Sequence, residues 1–228
     1  ALRDVRVRRA LSLSVSRSDL CALTLNGKPI PATGWVPPMP GWESPAPPTF
    51  DPERAVQLLA EAGYPNGEGF PTVTIFYNTS ESHKAIAERL QGTWQNILGI
   101  DVSLENAEWQ VYLQRVEDQE YQIGRAGWIG DYFDPETFLK IFKTGNPNNS
   151  TGWGNARYDA LLEEAARIED RGERYALYQQ AETIMMTELP IIPLYHYRSI
   201  GLVSPRVQNF RPSNRDILQA RFLSLDLD

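Results

Sequence analysis

The chemistry-bearing stretch of this chain is Arg125-Ala126-Gly127-Trp128-Ile129-Gly130-Asp131-Tyr132-Phe133-Asp134-Pro135. A bare carboxylate at Asp131 flanked by Trp128 and Tyr132 suits an ammonium group. Coulomb attraction fixes the charge, and the ring faces favour a cation over an anion. A structural use is equally open on these residues alone: Asp131 capping a turn and Trp128 packed in a core. Asp131 and Asp134 also pose as the general acid and base of a glycoside or peptide hydrolase. Their spacing across a turn does not set the separation that such chemistry needs, and Asp134, followed by Pro135, has a better use as a helix N-cap.

The inventory excludes other chemistries. One Cys and two His leave no set of ligands for a closed zinc site. No phosphate-binding Gly-x-x-x-x-Gly-Lys loop and no Gly-x-Ser-x-Gly elbow occurs. No cofactor is implied.

The elements around the stretch must position it. Tyr121 to Gly124 begins an apolar strand that runs into the elbow, with Gly127 and Gly130 admitting a neighbouring backbone. Asp134-Pro135 then restarts the chain as a helix. Trp128, Asp131 and Tyr132 thereby sit at the C-terminal end of a strand, where open α/β sheets place ligands. Upstream, periodicity predicts a helix over 3–16, a helix over 51–63 opened by Asp51-Pro52 and closed by Gly63, and a strand over 72–77. A helix over 82–98 ended by Gly99, a strand over 100–104 and a short helix around Trp109, Tyr112, Leu113 and Val116 follow. Strands alternating with helices imply a largely parallel sheet covered on both faces. Downstream come a short helix to Gly145, a polar loop 146–155 that caps itself, two helices and a strand over 191–197 pushed to an edge by Pro193. More than half of the 17 prolines lie between Pro29 and Pro52, interleaved with Trp35, Met39 and Trp42. That density predicts an extended loop pinned to the domain by its aromatics.

Composition bounds the class. A 228-residue chain with 42% hydrophobic residues can bury a sizeable core. No apolar run approaches the roughly 18 residues of a membrane span, and a formal charge of -7 argues against nucleic acid or an anionic membrane as partner. Cys21 stands alone, so no intrachain disulfide forms. The charged opening, Ala1-Leu2-Arg3-Asp4-Val5-Arg6, is no signal peptide, which suggests either a cytoplasmic protein or a piece of something larger.

Several segments, taken in order, carry a resemblance. They are Asp4-Val5-Arg6-Val7-Arg8-Arg9-Ala10-Leu11, the helix from Asp51 ending in Ala62-Gly63-Tyr64, Tyr77-Asn78-Thr79-Ser80, and Glu108-Trp109. Gly127-Trp128-Ile129-Gly130-Asp131-Tyr132 with Asp134-Pro135, Tyr158-Asp159-Ala160-Leu161, and Ile192-Pro193-Leu194-Tyr195 complete the series. The chain is similar to the C-terminal part of the oligopeptide- and dipeptide-binding proteins that serve ABC importers. The resemblance implies an α/β, periplasmic-binding-protein-like (type II) lobe with a mixed, mostly parallel sheet flanked by helices. Residues 1–204 form that lobe, with 26–50 as its proline-rich surface loop, and 205–228 returns towards a missing N-terminal lobe, leaving Ile217, Leu218, Phe222 and Leu223 short of packing.

An extended peptide or other amine-bearing small solute is expected between the lobes, with Asp131 receiving its α-ammonium. Asn78, His83, Trp109, Arg125 and Trp128 are expected along the cleft, approached by Tyr195, His196 and Tyr197. Arg125 and His83 are candidate partners for a ligand carboxylate or side chain. Arg125 has the alternative of balancing Asp131, and His83 that of an ordinary residue in the first turn of its helix. The implied protein is a binding module rather than an enzyme, working outside the cytoplasm, in the periplasm or anchored as a lipoprotein, with an ABC permease as partner. A hydrolase and an interaction domain without a small ligand are the rival classes.

Overall fold

In a computed structural model of the chain, residues 1–27, 29–47, 49–198, 202–211 and 220–226 are described. Asp4 opens the first helix by accepting the Arg6 amide at 2.8 Å, and α1 (Val5–Leu13) buries Val7, Ala10 and Leu11. The helix is shorter than its periodicity suggests. Ser16 starts a new turn, α2 (Arg17–Asp19), by accepting the Asp19 amide, and a π-turn over Leu20–Thr24 follows. Arg17 is buried with no carboxylate partner among the described residues. Its guanidinium instead satisfies backbone oxygens at the end of α1 and reaches Pro193 O at 2.7 Å. That cross-link ties the first helix to the far end of the chain.

After β1 (Ile30–Pro31) the proline-rich loop crosses the surface of the later helices. Asp51 then caps α3 (Pro52–Glu61), accepting the Arg54 amide at 2.9 Å, and Gly63 follows at a φ of 98°. The central strand β2 (Val73–Asn78) leads into α4 (Glu81–Leu98). Gly99 ends α4 in the left-handed region, pressed so closely on the Asn66 carbonyl that any Cβ would collide with it. β3 (Val102–Ala107), α5 (Trp109–Glu117) and β4 (Ile123–Gly124) complete the alternation, with β3 beginning two residues later than the periodicity predicts. The later helices are α6 (Glu136–Leu139), α7 (Ala156–Ala165) and α8 (Arg171–Glu188). Of the strand expected over 191–197 only β5 (Tyr195–His196) pairs, and β6 (Val207–Gln208) and β7 (Ser224–Leu225) form a terminal ribbon.

The sheet order is β3-β2-β4, all parallel, so both crossovers are made by helices, as expected for an α/β lobe. Two antiparallel ribbons, β1-β5 and β6-β7, make the strand content mixed. Val73, Ile75 and Tyr77 enter a core shared with α1, α3 and α4, centred on Trp94, whose indole N–H donates to Leu11 O at 3.0 Å. On the opposite face Phe76 is covered by Tyr112 at 5.2 Å and by the Arg115 guanidinium at 4.1 Å. A second core joins Val36, Met39 and Trp42 of the proline-rich loop to α6, α7 and α8. Arg8 and Arg9 connect the two cores by donating to the carbonyls of Glu188 and Thr187 at the C-terminal end of α8. Ile217 and Leu218 lie outside the described residues, whereas Phe222 is exposed and Leu223 half-buried.

Candidate ligand-binding site

Two groups of side chains gather along the segment that follows β4. The first is centred on Arg125. Its amide donates to Phe76 O at 2.9 Å, one ladder bond past β4, and there the strand stops. The apolar strand expected to run on to Trp128 is therefore absent. The register that sets Gly124 beside Phe76 runs out of partner at Asn78, where β2 turns towards α4.

The Arg125 guanidinium hydrogen-bonds the Tyr197 hydroxyl and lies 3.4 Å from that of Tyr195. Tyr112 donates to the Arg125 carbonyl from below, and Trp109 stacks on Tyr112 at 5.8 Å with its outer face open. Among the described residues no carboxylate pairs with Arg125, so the alternative in which it balances Asp131 does not hold. His83 completes this group, its Nδ1 3.4 Å from the carbonyl of Asn78. Burial, helped by the positive charge of Arg125, lowers the His83 pKa below its ordinary value. The close approach at Gly127 is made by the Tyr197 ring, and that at Gly130 by Phe138 and Thr137, side chains rather than the backbone that the glycines suggested.

The second group surrounds Asp131. Thr137 holds this residue twice: its Oγ1 accepts the Asp131 amide at 2.9 Å and lies 3.4 Å from Oδ2. The carboxylate itself remains 60% exposed, with Lys140 Nζ 3.8 Å away. Tyr132 donates to Glu136 at 2.8 Å and accepts from Lys140 at 3.1 Å, while the Lys140 ammonium lies 4.6 Å from its ring centroid. Burial first, and then Glu136, push the Tyr132 hydroxyl pKa upwards.

Trp128 is half-buried against the second core, and its indole N–H has no partner among the described residues, as is also true of Asn78 Oδ1. Such orphaned buried polar atoms carry a desolvation cost that a ligand's amide can relieve. Asp134 is committed elsewhere: Oδ1 accepts the Glu136 amide, as an N-cap does, and Oδ2 pairs with Arg174 at 3.1 Å. The helix it caps is assigned from Glu136, with Pro135 in helical conformation before it.

The predicted site residues thus divide into Asn78, His83, Trp109, Arg125 and Tyr195 on one side and Trp128, Asp131 and Tyr132 on the other, joined by the segment 125–131. His196 faces inward. It is buried in the β1-β5 ribbon, its Nε2 accepts the Thr33 amide at 3.3 Å, and burial lowers its pKa to about 4. Sequence reasoning missed Thr137 and Lys140. Their signal was available, since they stand three residues apart in the helical turns after the elbow and so share a face. Tyr112, expected only as helix core, also supports Arg125.

Residues 1–150 match the model of the bacterial extracellular solute-binding proteins, family 5, middle region. The oligopeptide-binding protein OppA of Bacillus subtilis is 37% identical over 86% of this chain and 38% of its own length. The probable deoxycholate-binding periplasmic protein YgiS of Escherichia coli is 38% identical over 91% and 40%. The structure of the murein tripeptide-binding protein MppA of Escherichia coli superposes with a TM-score of 0.88 at 32% identity, covering 97% of this chain and 45% of MppA. The chain therefore spans about two fifths of the length of these curated relatives. A match to the family model over most of the chain, on an α/β lobe of the same architecture, shows that it belongs to the bacterial extracellular solute-binding proteins of family 5.

Proposed function

We propose that this chain is one lobe of a two-lobed receptor that binds a peptide, or another amine-bearing small solute, and delivers it to an ABC permease outside the cytoplasm. Residues 1–204 supply the lobe, and 205–228 returns to the other one. Asp131 receives the ligand's α-ammonium. The observation that carries this reading is the state of that carboxylate: oriented through Thr137 and open to solvent with only a loose cationic neighbour. Its capacity to accept hydrogen bonds is mostly unspent, as a receiver of a three-donor ammonium requires.

Arg125 supplies the opposite charge. With hydroxyls rather than a carboxylate around it, it keeps a net positive field for a ligand carboxylate or acidic side chain. Trp109, Trp128, Tyr132, Asn78, His83 and Tyr195 line the ligand between these poles. The names of OppA and MppA, which bind an oligopeptide and a murein tripeptide, support a peptide, while YgiS shows that relatives this similar also carry the name of a bile-salt binder.

A hydrolase with Asp131 and Asp134 is disfavoured by the Arg174 pair, which holds Asp134 in a structural role. The test is Asp131→Asn in the two-lobed receptor. Closure removes water from the ion pair, so the substitution is expected to weaken binding by about 2–5 kcal/mol with the peptide recovered intact. Unchanged affinity contradicts the assignment. Cleaved peptide whose appearance depends on Asp131 restores the hydrolase.

A further inference from the structure

Lys140 sits where a ligand's ammonium would compete with it. Its Nζ is 3.8 Å from Asp131 Oδ2, within Coulombic reach but beyond a hydrogen bond. The same nitrogen donates to Tyr132 Oη at 3.1 Å and lies 4.6 Å from the centre of that ring. Tyr132 directs its own proton to Glu136, leaving an oxygen lone pair towards the lysine and a second carboxylate behind it. The ammonium therefore has two resting partners, one of which it keeps if the other is taken.

We propose that Lys140 is the built-in counter-cation of the site: it balances Asp131 when no ligand is bound and yields that carboxylate to an incoming ammonium by withdrawing along Tyr132 towards Glu136. The proposal rests on the assignment of Asp131 to the ligand's ammonium. Its consequence is a discount on affinity. Each binding event must displace one cation from Asp131 and hold two near it, so the lysine raises the threshold that a weakly held amine must pass. Thr137 and Lys140 then divide the work on one helical face, the threonine orienting the carboxylate and the lysine setting its appetite for cations.

The experiment measures, by calorimetry on the two-lobed receptor, the ratio of affinities for one short peptide with a free and with an acetylated N terminus. Lys140→Met is expected to raise that ratio about three- to tenfold, the scale of removing an exposed ion pair and some like-charge repulsion in a closed cleft. Lys140→Arg keeps the charge and is expected to keep the wild-type ratio, which a role confined to packing would not require. A wild-type preference for the free amine that Lys140→Met leaves unchanged or lowers overturns the role of Lys140 alone. A wild-type ratio of one removes the Asp131 assignment, and this proposal with it.

Discussion

Arg125 and Asp131 are opposite charges on one short segment, and yet each finds its neighbours elsewhere, in Tyr195 and Tyr197 or in Thr137 and Lys140. In the proposed receptor, keeping the two charges apart would leave one pole for each end of a zwitterionic ligand. The histidines report on this arrangement, and the chain has only two. His196 falls from 6.5 to about 4 through burial, so it stays neutral in the folded protein while the unfolded chain takes up a proton. Stability from His196 is thus complete above about 6.5 and is lost as the pH falls towards 4. An NMR titration is expected to show one imidazole with a midpoint near 4, and Arg125→Met is expected to move the other, His83, upwards by removing a nearby positive charge. Two midpoints at the ordinary value would contradict the burial of His196. At this scale the sequence identified the charged and aromatic residues but not their partners. Arg125 and Asp131 are neighbours in sequence, whereas the tyrosines that hold Arg125 arrive from the end of the chain.

Elements were more legible than contacts, because their signals are local. Asp51-Pro52, Gly63 and Gly99 mark helix boundaries by backbone chemistry that needs no tertiary context. The site strand was misjudged for the converse reason: a strand lasts only as long as its neighbour, and β2 ends at Asn78. The proline-rich loop is held as its aromatics suggest, Trp42 buried edge-on to Tyr175 at 5.6 Å and Trp35 half-buried, donating to Phe138 O at 2.7 Å. Its strongest tether lay beyond sequence reading. Glu182 of α8 is fully buried, and its Oε1 accepts the amides of Trp35 and Val36 at 2.8 and 2.9 Å. Burial raises the pKa of this carboxyl, so the folded state favours the proton and loses stability as pH rises above the unfolded value of about 4.5. Glu182→Gln keeps an acceptor without the charge. It is expected to match or exceed wild-type stability at pH 8, whereas Glu182→Ala orphans two amides and costs about 1–3 kcal/mol each. Denaturant melts at pH 5 and 8 decide this, and a glutamine variant as weak as the alanine would contradict it.

Under the proposed two-lobed receptor, the molecule as a whole supplies one wall of the cleft. Trp109, Ile129, Phe133 and Tyr197 expose large apolar surfaces around the two poles, and Phe222 and Leu225 do so in the terminal segment. Exposed aromatic surface next to open charges is what a second lobe would cover. Two dense cores, linked through Arg8 and Arg9, predict that the 228-residue chain folds cooperatively alone. It is expected to bind peptides only weakly, since an ion pair on an open surface contributes about 0–1 kcal/mol. Micromolar or tighter binding by the chain alone would show that one lobe suffices. The most direct test of the whole account is the affinity of the two-lobed receptor for a single peptide with its N terminus free and then acetylated. The account predicts that acetylation weakens binding by about 2–5 kcal/mol, because Asp131 loses its charged partner in a dry cleft. Equal affinities for the two peptides would contradict it.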